Sequence, residues 1–113
     1  MIDEAFADVV VQGDVARAVV RREHAERLCE GHFPGDPIVP GAYLAGLMAA
    51  LGETLLCGAT LAEVTHCAFV RRVRPSSAIV IVARRVAADG VTAEIACDGE
   101  TSARAMLRFH AAT

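Results

Sequence analysis

Apolar and polar positions divide the chain into one helical stretch and a set of strands. Residues 42 to about 57 are almost uncharged and apolar all round, which predicts one long central helix that Gly58 ends. From residue 64 onward, runs rich in Val, Ile and Ala are separated by the turn signals Asp89-Gly90 and Asp98-Gly99. Because Asp-Gly pairs favour tight hairpin turns, these runs predict antiparallel strands.

The order of these elements predicts an α+β fold. We expect strands at 9–12, 16–22, 64–73, 78–86, 91–97 and 102–110, with one helical turn within 23–31. A helix without a polar face needs cover, so a strongly curved antiparallel sheet should wrap around it. A sheet of this size cannot cover the helix or its own edges alone. We therefore predict a homodimer or a larger homo-oligomer, with two sheets joined edge to edge.

Composition narrows the classes of protein without naming an activity. With 113 residues and 54% hydrophobic content, the chain is expected to form a single domain, 1–113. Its net charge of −3 argues against binding to nucleic acid, and its acidic N-terminus does not resemble a secretory signal. The apolar stretch is rich in Ala and Gly and carries Glu53, so we interpret it as a core helix rather than a membrane span.

The four cysteines lack the spacing of a metal site, and no paired histidines accompany them. They are predicted to be small buried hydrophobic residues in a reducing compartment: Cys29, Cys57, Cys67 and Cys97. We therefore expect a cytoplasmic protein that needs no metal and no cofactor.

Residues 31–41 carry the most specific chemistry of the chain. They read Gly-His-Phe-Pro-Gly-Asp-Pro-Ile-Val-Pro-Gly and place His32 in a rigid loop directly before the predicted helix. Three prolines restrict the backbone of this loop, so it can hold a side chain in place without secondary structure. Gly41 would lie near the helix N-terminus, where its N–H is a candidate donor to developing negative charge.

The run from His32 to Gly41 resembles the signature of the hot-dog-fold 3-hydroxyacyl-acyl carrier protein dehydratases of the FabA/FabZ type. Residues 69–75 and 99–105 are similar to two further blocks of that family, and the resemblance covers roughly residues 17–110. It implies a hot-dog fold and a dimer with active sites at its interface. It also implies a reaction, the removal of water from a 3-hydroxyacyl thioester to give a 2-enoyl thioester. The acyl chain would be carried by acyl carrier protein or coenzyme A, in fatty acid or polyketide-type metabolism.

The same resemblance assigns roles to individual residues. His32 corresponds to the base that removes the α-proton, and Gly41 to the backbone donor that stabilises the thioester oxyanion. The family's acid, a Glu or Asp, should lie five residues after Gly41, where this chain has Gly46. The substrate-binding positions are Gly46 itself, Phe33, Pro40 and Phe69.

The missing acid leaves three alternatives for the proton donor. Tyr43 lies three residues before Gly46 on the same helix face, and its phenol can donate a hydrogen bond, but a large core residue would occupy the same position. Glu53 shares that face about 10 Å further along the axis, so we expect it to reach solvent instead. The third alternative is a water molecule in the space that Gly46 leaves.

Basic and histidine residues outside the loop give weaker signals. Arg71, Arg72 and Arg74 could dock an acidic acyl carrier protein, although the solvated face of a hairpin would have the same composition. The other histidines lack partner spacing and are expected to be surface or strand residues: His24, His66 and His110.

Three functions therefore compete. The first is a dehydratase in which His32 and Gly41 act with Tyr43 or water. The second is a non-catalytic protein that binds acyl thioesters, or that pairs with an active homologue whose carboxylate completes a site around His32. The third and weakest is a thioesterase, because a hot-dog thioesterase would also need a carboxylate on the helix.

Overall fold

One antiparallel sheet of six strands and one central helix make up most of the molecule. The computed structural model describes residues 2–30, 35, 37–57 and 59–110. The strands are β1 (Phe6–Gln12), β2 (Val15–Val20), β3 (Thr60–Phe69), β4 (Ile79–Arg85), β5 (Gly90–Cys97) and β6 (Glu100–His110). The helices are α1 (Ile2–Ala5), α2 (Arg22–Leu28) and α3 (Gly41–Gly52), and a 3-10 turn, Glu53–Leu55, follows α3. The predicted α+β architecture is confirmed.

The strand order in the sheet is β1-β2-β4-β5-β6-β3. Three neighbouring pairs are hairpins, as the turn signals predict, whereas β2 pairs with β4 and β3 pairs with β6 across long connections. Strands β1 and β3 are therefore the two edges of the sheet among the described residues. Val64 and Phe69 on β3 are exposed, so this edge presents both unpaired backbone and apolar side chains.

The position of β3 differs from the prediction. The strand was expected at 64–73 but covers Thr60–Phe69, and the next residues form a connection to β4. The amides of Val70 and Arg71 both donate to the Ser102 carbonyl, at 2.9 and 3.2 Å, so the regular pairing with β6 ends there. The Val73 carbonyl then accepts a hydrogen bond from the Val39 amide at 2.8 Å. Val73 therefore pairs with the segment before α3, and residues 70–73 no longer continue strand β3.

Helix α3 lies on the concave face of the sheet. Met48 and Leu51 are fully buried in one core with Ile81 and Ile95 of the central strands. The helix ends at Gly52 rather than near residue 57, because the chain tightens into the 3-10 turn that Glu53 begins. On the outer face of its N-terminal half, Ala42, Tyr43 and Gly46 are exposed, Tyr43 to 42%.

Two short helices lie at the N-terminal side of the molecule. The sequence predicted one helical turn in 23–31, and α2 occupies seven residues of this region, Arg22–Leu28. Helix α1 was not predicted. The Arg21 amide donates to the Ala5 carbonyl at 2.7 Å, which ties the start of α2 to the end of α1. None of the helices in the described ranges is long and apolar enough to cross a membrane.

The prediction that all four cysteines are buried is wrong for two of them. Cys29 is buried and Cys97 is half-buried, but Cys57 and Cys67 are exposed. Cys67 lies on the edge strand β3, and Cys57 follows the 3-10 turn, where no other element covers it. Burial raises the pKa of the Cys29 and Cys97 thiols, so both remain protonated, weak nucleophiles near neutral pH.

Candidate functional site

The start of α3 is the best-defined part of the candidate site. Pro40 is the N-cap residue in extended geometry, and its carbonyl accepts hydrogen bonds from the amides of Tyr43 and Leu44 at 3.0 and 3.2 Å. Helix geometry leaves the first amides without an acceptor inside the helix, and Gly41 is the first helical residue. The Gly41 N–H is thus placed to donate to a ligand, with the helix dipole favouring negative charge there. His32 and Phe33 lie outside the described residues.

An open groove of about 850 Å³ begins at this helix terminus. We call it the helix-start groove, and ten residues line it: Ile38, Val39, Pro40, Gly41, Leu44, Phe69, Val70, Arg71, Arg72 and Val73. Its floor is apolar, while the two arginines supply the charge. The Val39–Val73 backbone hydrogen bond joins the two segments that form its walls. Pro40, Gly41 and Phe69, three predicted site residues, therefore meet in one groove.

Phe69 lies directly against the helix start. A Cβ atom added to Gly41 would be 3.0 Å from Phe69 Cε2 and 3.1 Å from Phe69 Cζ. Only a residue without a side chain allows the ring to approach the backbone this closely. Phe69 is 49% exposed, so it lies both beside the Gly41 backbone and at the surface of the groove.

The three predicted docking arginines lie in the connection between β3 and β4, not on a strand as the sequence suggested. All three are exposed, but only Arg71 and Arg72 line the helix-start groove. Arg71 forms a 3.0 Å ion pair with Glu100, and both side chains are mostly exposed to solvent. The charge thus lies at the rim of the groove, where a charged group of a ligand or partner can reach it.

Gly46 lies in a second groove of about 680 Å³. We call it the Gly46 groove, and nine residues line it: Ala5, His24, Leu28, Tyr43, Gly46, Leu47, Ala50, Glu53 and Thr54. Tyr43 and Gly46 share this groove, which confirms the predicted common face. Among the described residues, and leaving aside the backbone of α3 itself, a Cβ atom built on Gly46 has no neighbour within 4 Å, so a larger side chain would find open space there.

The two grooves lie on different faces of α3. Successive helical residues are rotated by about 100°, which places Gly41 and Leu44 on one face and Tyr43, Gly46 and Ala50 on nearly the opposite one. Within one protomer, positions 41 and 46 therefore lie on nearly opposite sides of the helix and line different grooves.

His24 is the residue that sequence reasoning missed. It was expected at the surface, but it is half-buried on α2 and lines the Gly46 groove together with Leu28, one turn later. Its Nδ1 atom is buried and has no hydrogen-bond partner among the residues that the structure describes. Burial, and next the charge of Arg27, lower the pKa of this imidazole. The i, i+4 spacing of His24 and Leu28 on a short helix was the only sequence signal.

The remaining candidates follow the prediction. Glu53 is exposed at the far end of the Gly46 groove, as expected for a residue that reaches solvent. His66 and His110 are exposed on β3 and β6. Among the residues that the structure describes, no three His, Cys, Asp or Glu side chains could together hold a metal ion.

Comparison with solved structures places the fold. A chain of the dehydratase heterocomplex ApeI:P from Xenorhabdus doucetiae has a TM-score of 0.79 at 16% identity, covering 92% of this chain and 95% of the other. The smu.793 protein of Streptococcus mutans, solved with acetyl-CoA bound, has a TM-score of 0.71 at 13% identity, with 96% and 90% covered. The sheet around a central helix is thus the hot-dog fold, as the sequence predicted.

Sequence comparison gives the family. The 3-hydroxyacyl-(acyl-carrier-protein) dehydratase FabZ of Caldicellulosiruptor saccharolyticus is 26% identical over 109 residues, covering 80% of this chain and 78% of the relative. The model of the ApeI-like family, described as ApeI dehydratase, matches residues 10–105. That match includes the histidine loop, α3 and all strands except the ends of β1 and β6. The chain therefore belongs to the ApeI-like dehydratase family.

Proposed function

We propose that this protein dehydrates 3-hydroxyacyl thioesters to 2-enoyl thioesters, in a site that two subunits build together. The observation that carries this proposal is the Gly41 N–H at the start of α3, which opens onto an apolar groove directly after the His32 loop. An apolar groove suits an acyl chain, and a fixed backbone donor suits the thioester oxygen. Membership of a dehydratase family supports the same reaction.

The proposed chemistry uses few groups. His32, neutral near pH 7, takes the α-proton of the substrate, and the electron pair of that C–H bond moves onto the thioester oxygen. The Gly41 N–H stabilises this oxygen while negative charge is present. The pair then returns to form the double bond, the Cβ–O bond breaks, and the hydroxide takes a proton from a donor to leave as water. Tyr43 or a bound water supplies that proton, and the proton that His32 has taken then returns to this donor through solvent.

Two subunits are needed because of the geometry of α3. Gly41 and Gly46 line different grooves of one protomer, so we propose that one substrate contacts them from two different chains. We propose that β3 edges of two copies pair, so that Gly41 and His32 of one subunit face position 46 of the other. The exposed backbone and apolar side chains of β3 support this arrangement.

The carrier of the acyl chain is proposed from charge. Acyl carrier protein and coenzyme A are both anionic, and Arg71 and Arg72 place positive charge at the rim of the helix-start groove. Arg74 follows in the same exposed connection. The acetyl-CoA bound to the Streptococcus mutans structure supports thioester recognition by this fold.

One observation favours the second function, a non-catalytic partner of an active homologue. Gly46 offers no side chain to the groove that faces it, so a homodimer would lack the family's carboxylate in both sites. The Xenorhabdus doucetiae relative is described as a heterocomplex, which supports pairing with a homologue that supplies this group.

Turnover by the purified protein tests the proposal. Short- and medium-chain 3-hydroxyacyl-CoA and 2-enoyl-CoA thioesters serve as substrates for dehydration and reverse hydration. We expect measurable turnover that His32→Ala abolishes with little change in melting temperature, while His110→Gln, at an exposed histidine, leaves the rate unchanged. Turnover that survives His32→Ala would remove His32 as the base. No turnover by a folded dimer would favour the partner function.

Complementation tests the shared site. If Tyr43 is the donor, His32→Ala and Tyr43→Phe each reduce activity, and the two inactive variants are then mixed and allowed to exchange subunits. After random exchange about half of the dimers are mixed, and in each mixed dimer one of the two shared sites has both His32 and Tyr43. About one site in four is therefore intact if the sites are shared between subunits. Sites within one subunit regain none, so a mixture without activity would refute the shared arrangement. An unaffected rate in Tyr43→Phe assigns the proton to water instead.

A further inference from the structure

The Gly46 groove contains four polar side chains besides the backbone of Gly46: His24, Tyr43, Glu53 and Thr54. Thr54 already donates its hydroxyl proton to the Leu51 carbonyl at 2.6 Å. Glu53 lies about 10 Å along the helix axis from Gly46, at the open end of the groove. These two side chains therefore do not supply a donor next to Gly46.

His24 differs from Glu53 because it is half-buried, and from Thr54 because it has a polar atom without a hydrogen-bond partner among the described residues. It reaches the groove from α2, so it faces α3 from a separate element. Among the described residues its buried Nδ1 atom has no hydrogen-bond partner, and leaving such an atom without a partner costs folding free energy. A buried polar group without a partner in a ligand-sized groove is one of the features that mark a functional site.

The protonation state of His24 follows from its surroundings. Burial and Arg27 lower its pKa, so the ring is neutral near pH 7 and carries one N–H. Buried N–H groups without an acceptor are rarer than buried acceptors without a donor, so we assign the proton to Nε2. In that tautomer the ring has one hydrogen-bond donor, Nε2–H, while the buried atom without a partner, Nδ1, is an acceptor.

The position of the ring gives this donor a role. Position 46 would carry the group that contacts the departing β-oxygen, yet a Cβ built there meets nothing within 4 Å. We propose that His24 takes over this contact and binds the 3-hydroxyl group of the substrate in the space beside Gly46. This inference rests on the proposed function, since it takes the substrate to be a 3-hydroxyacyl thioester.

The contact makes the groove selective. A site that hydrogen-bonds a hydroxyl discriminates against the analogue that lacks it, because the polar group of the site is then left without a partner. His24 therefore favours 3-hydroxyacyl thioesters over saturated acyl thioesters of the same length. Apolar contacts along the helix-start groove serve both ligands equally.

Equilibrium binding separates this role from a structural one. Isothermal titration compares 3-hydroxybutyryl-CoA with butyryl-CoA on the wild type, His24→Gln, His24→Leu and the control His110→Gln. In both His24 variants we expect 3-hydroxybutyryl-CoA to bind about fivefold to tenfold more weakly, with butyryl-CoA affinity unchanged. His110→Gln should change neither affinity.

Failure of this inference is distinguishable from failure of the proposed function. A wild type that binds both thioesters equally, or variants that lose both affinities together, would overturn the role of His24 and leave the dehydratase untouched. A wild type that binds neither thioester would overturn both. Selective binding that depends on His24, in a protein without turnover, would support the hydroxyl contact and reject catalysis by the homodimer.

Discussion

Replacing Gly46 by glutamate tests the geometry and the chemistry of the site together. The residue lies in the middle of α3, exposed, with no atom within 4 Å of a Cβ built on it. Glycine in such a position is about 0.8 kcal/mol less favourable than a good helix former. For 113 residues, with about 2.1 cal/mol/K of unfolding entropy per residue, 1 kcal/mol corresponds to about 4 °C. We therefore expect Gly46→Glu to raise the melting temperature by about 3 °C.

The same substitution puts a carboxyl group where the resemblance to the FabA/FabZ-type dehydratases predicts an acid. General acids contribute about 10²- to 10⁴-fold to enzymatic rates, and a side chain without evolved support should stay below the low end of this range. We expect the turnover number for 3-hydroxyacyl-CoA dehydration to rise by about 10-fold. The gain should disappear when His32→Ala is added, because the acid acts only with the base.

A matched glycine in the same helix provides the control. A Cβ on Gly52 would lie 3.2 Å from Phe109 Cζ and 3.3 Å from Leu107 Cδ1, both in the core. Overpacking of this kind costs about 1–3 kcal/mol, so Gly52→Ala should lower the melting temperature despite its better helix propensity. A destabilised Gly46→Glu would refute the open groove, and a stabilised variant with an unchanged rate would refute the position of the substrate.

Three further outcomes follow from individual contacts. Burial and Arg27 lower the pKa of His24, so below about pH 6.5 the unfolded chain binds a proton that the folded chain does not. Acidification from pH 8 to 5.5 should therefore lower the melting temperature of the wild type more than that of His24→Gln. An equal decrease in melting temperature for both proteins would contradict this. Gly41→Ala keeps the N–H but presses a methyl group against the Phe69 ring, so we expect a raised KM that Phe69→Ala partly restores in the double variant; simple additivity would exclude this contact as the cause. Val64→Lys puts a charge on the open edge of β3, so light scattering should show the proposed dimer for the wild type and a monomer for the variant; a variant that remains dimeric would place the interface elsewhere.

Local pattern was enough to predict most of the elements. The apolar run after Gly41 became α3, and each Asp-Gly pair became a hairpin turn, because helix periodicity and turn chemistry act over a few residues. The errors lie where distant residues decide. Strand β3 ends early because Ser102 and Val39 capture the backbone that follows it, and neither contact is visible in the local sequence.

The candidate site divides in the same way. The common face of Tyr43 and Gly46 could be read from helical spacing. That Gly41 and Gly46 lie on different sides of α3 also follows from this spacing. Which groove each of them lines depends on the segment after β3 and on α2, which the spacing does not show. His24 reaches the Gly46 groove only because α2 forms part of the groove's lining together with α3, so an argument from spacing placed it at the surface.

The opposite orientation of Gly41 and Gly46 makes a homodimer and a heterodimer of this chain respond differently to one substitution. In a homodimer, every shared site combines His32 with a Gly46 from the other copy. In a heterodimer with a homologue that carries a carboxylate at the equivalent position, one site combines His32 with that carboxylate. The second site contains Gly46 and the base of the homologue.

A homologue whose own base has been removed therefore reports on a single site. Mixed with this chain, it should give turnover well above that of either protein alone, and His32→Ala should abolish it. Gly46→Glu should leave the rate of this mixture unchanged, because Gly46 then faces a site without a base, whereas it raises the rate of the homodimer. A mixture that gains from Gly46→Glu as much as the homodimer does would place Gly46 and His32 in the same site and refute the two-subunit arrangement.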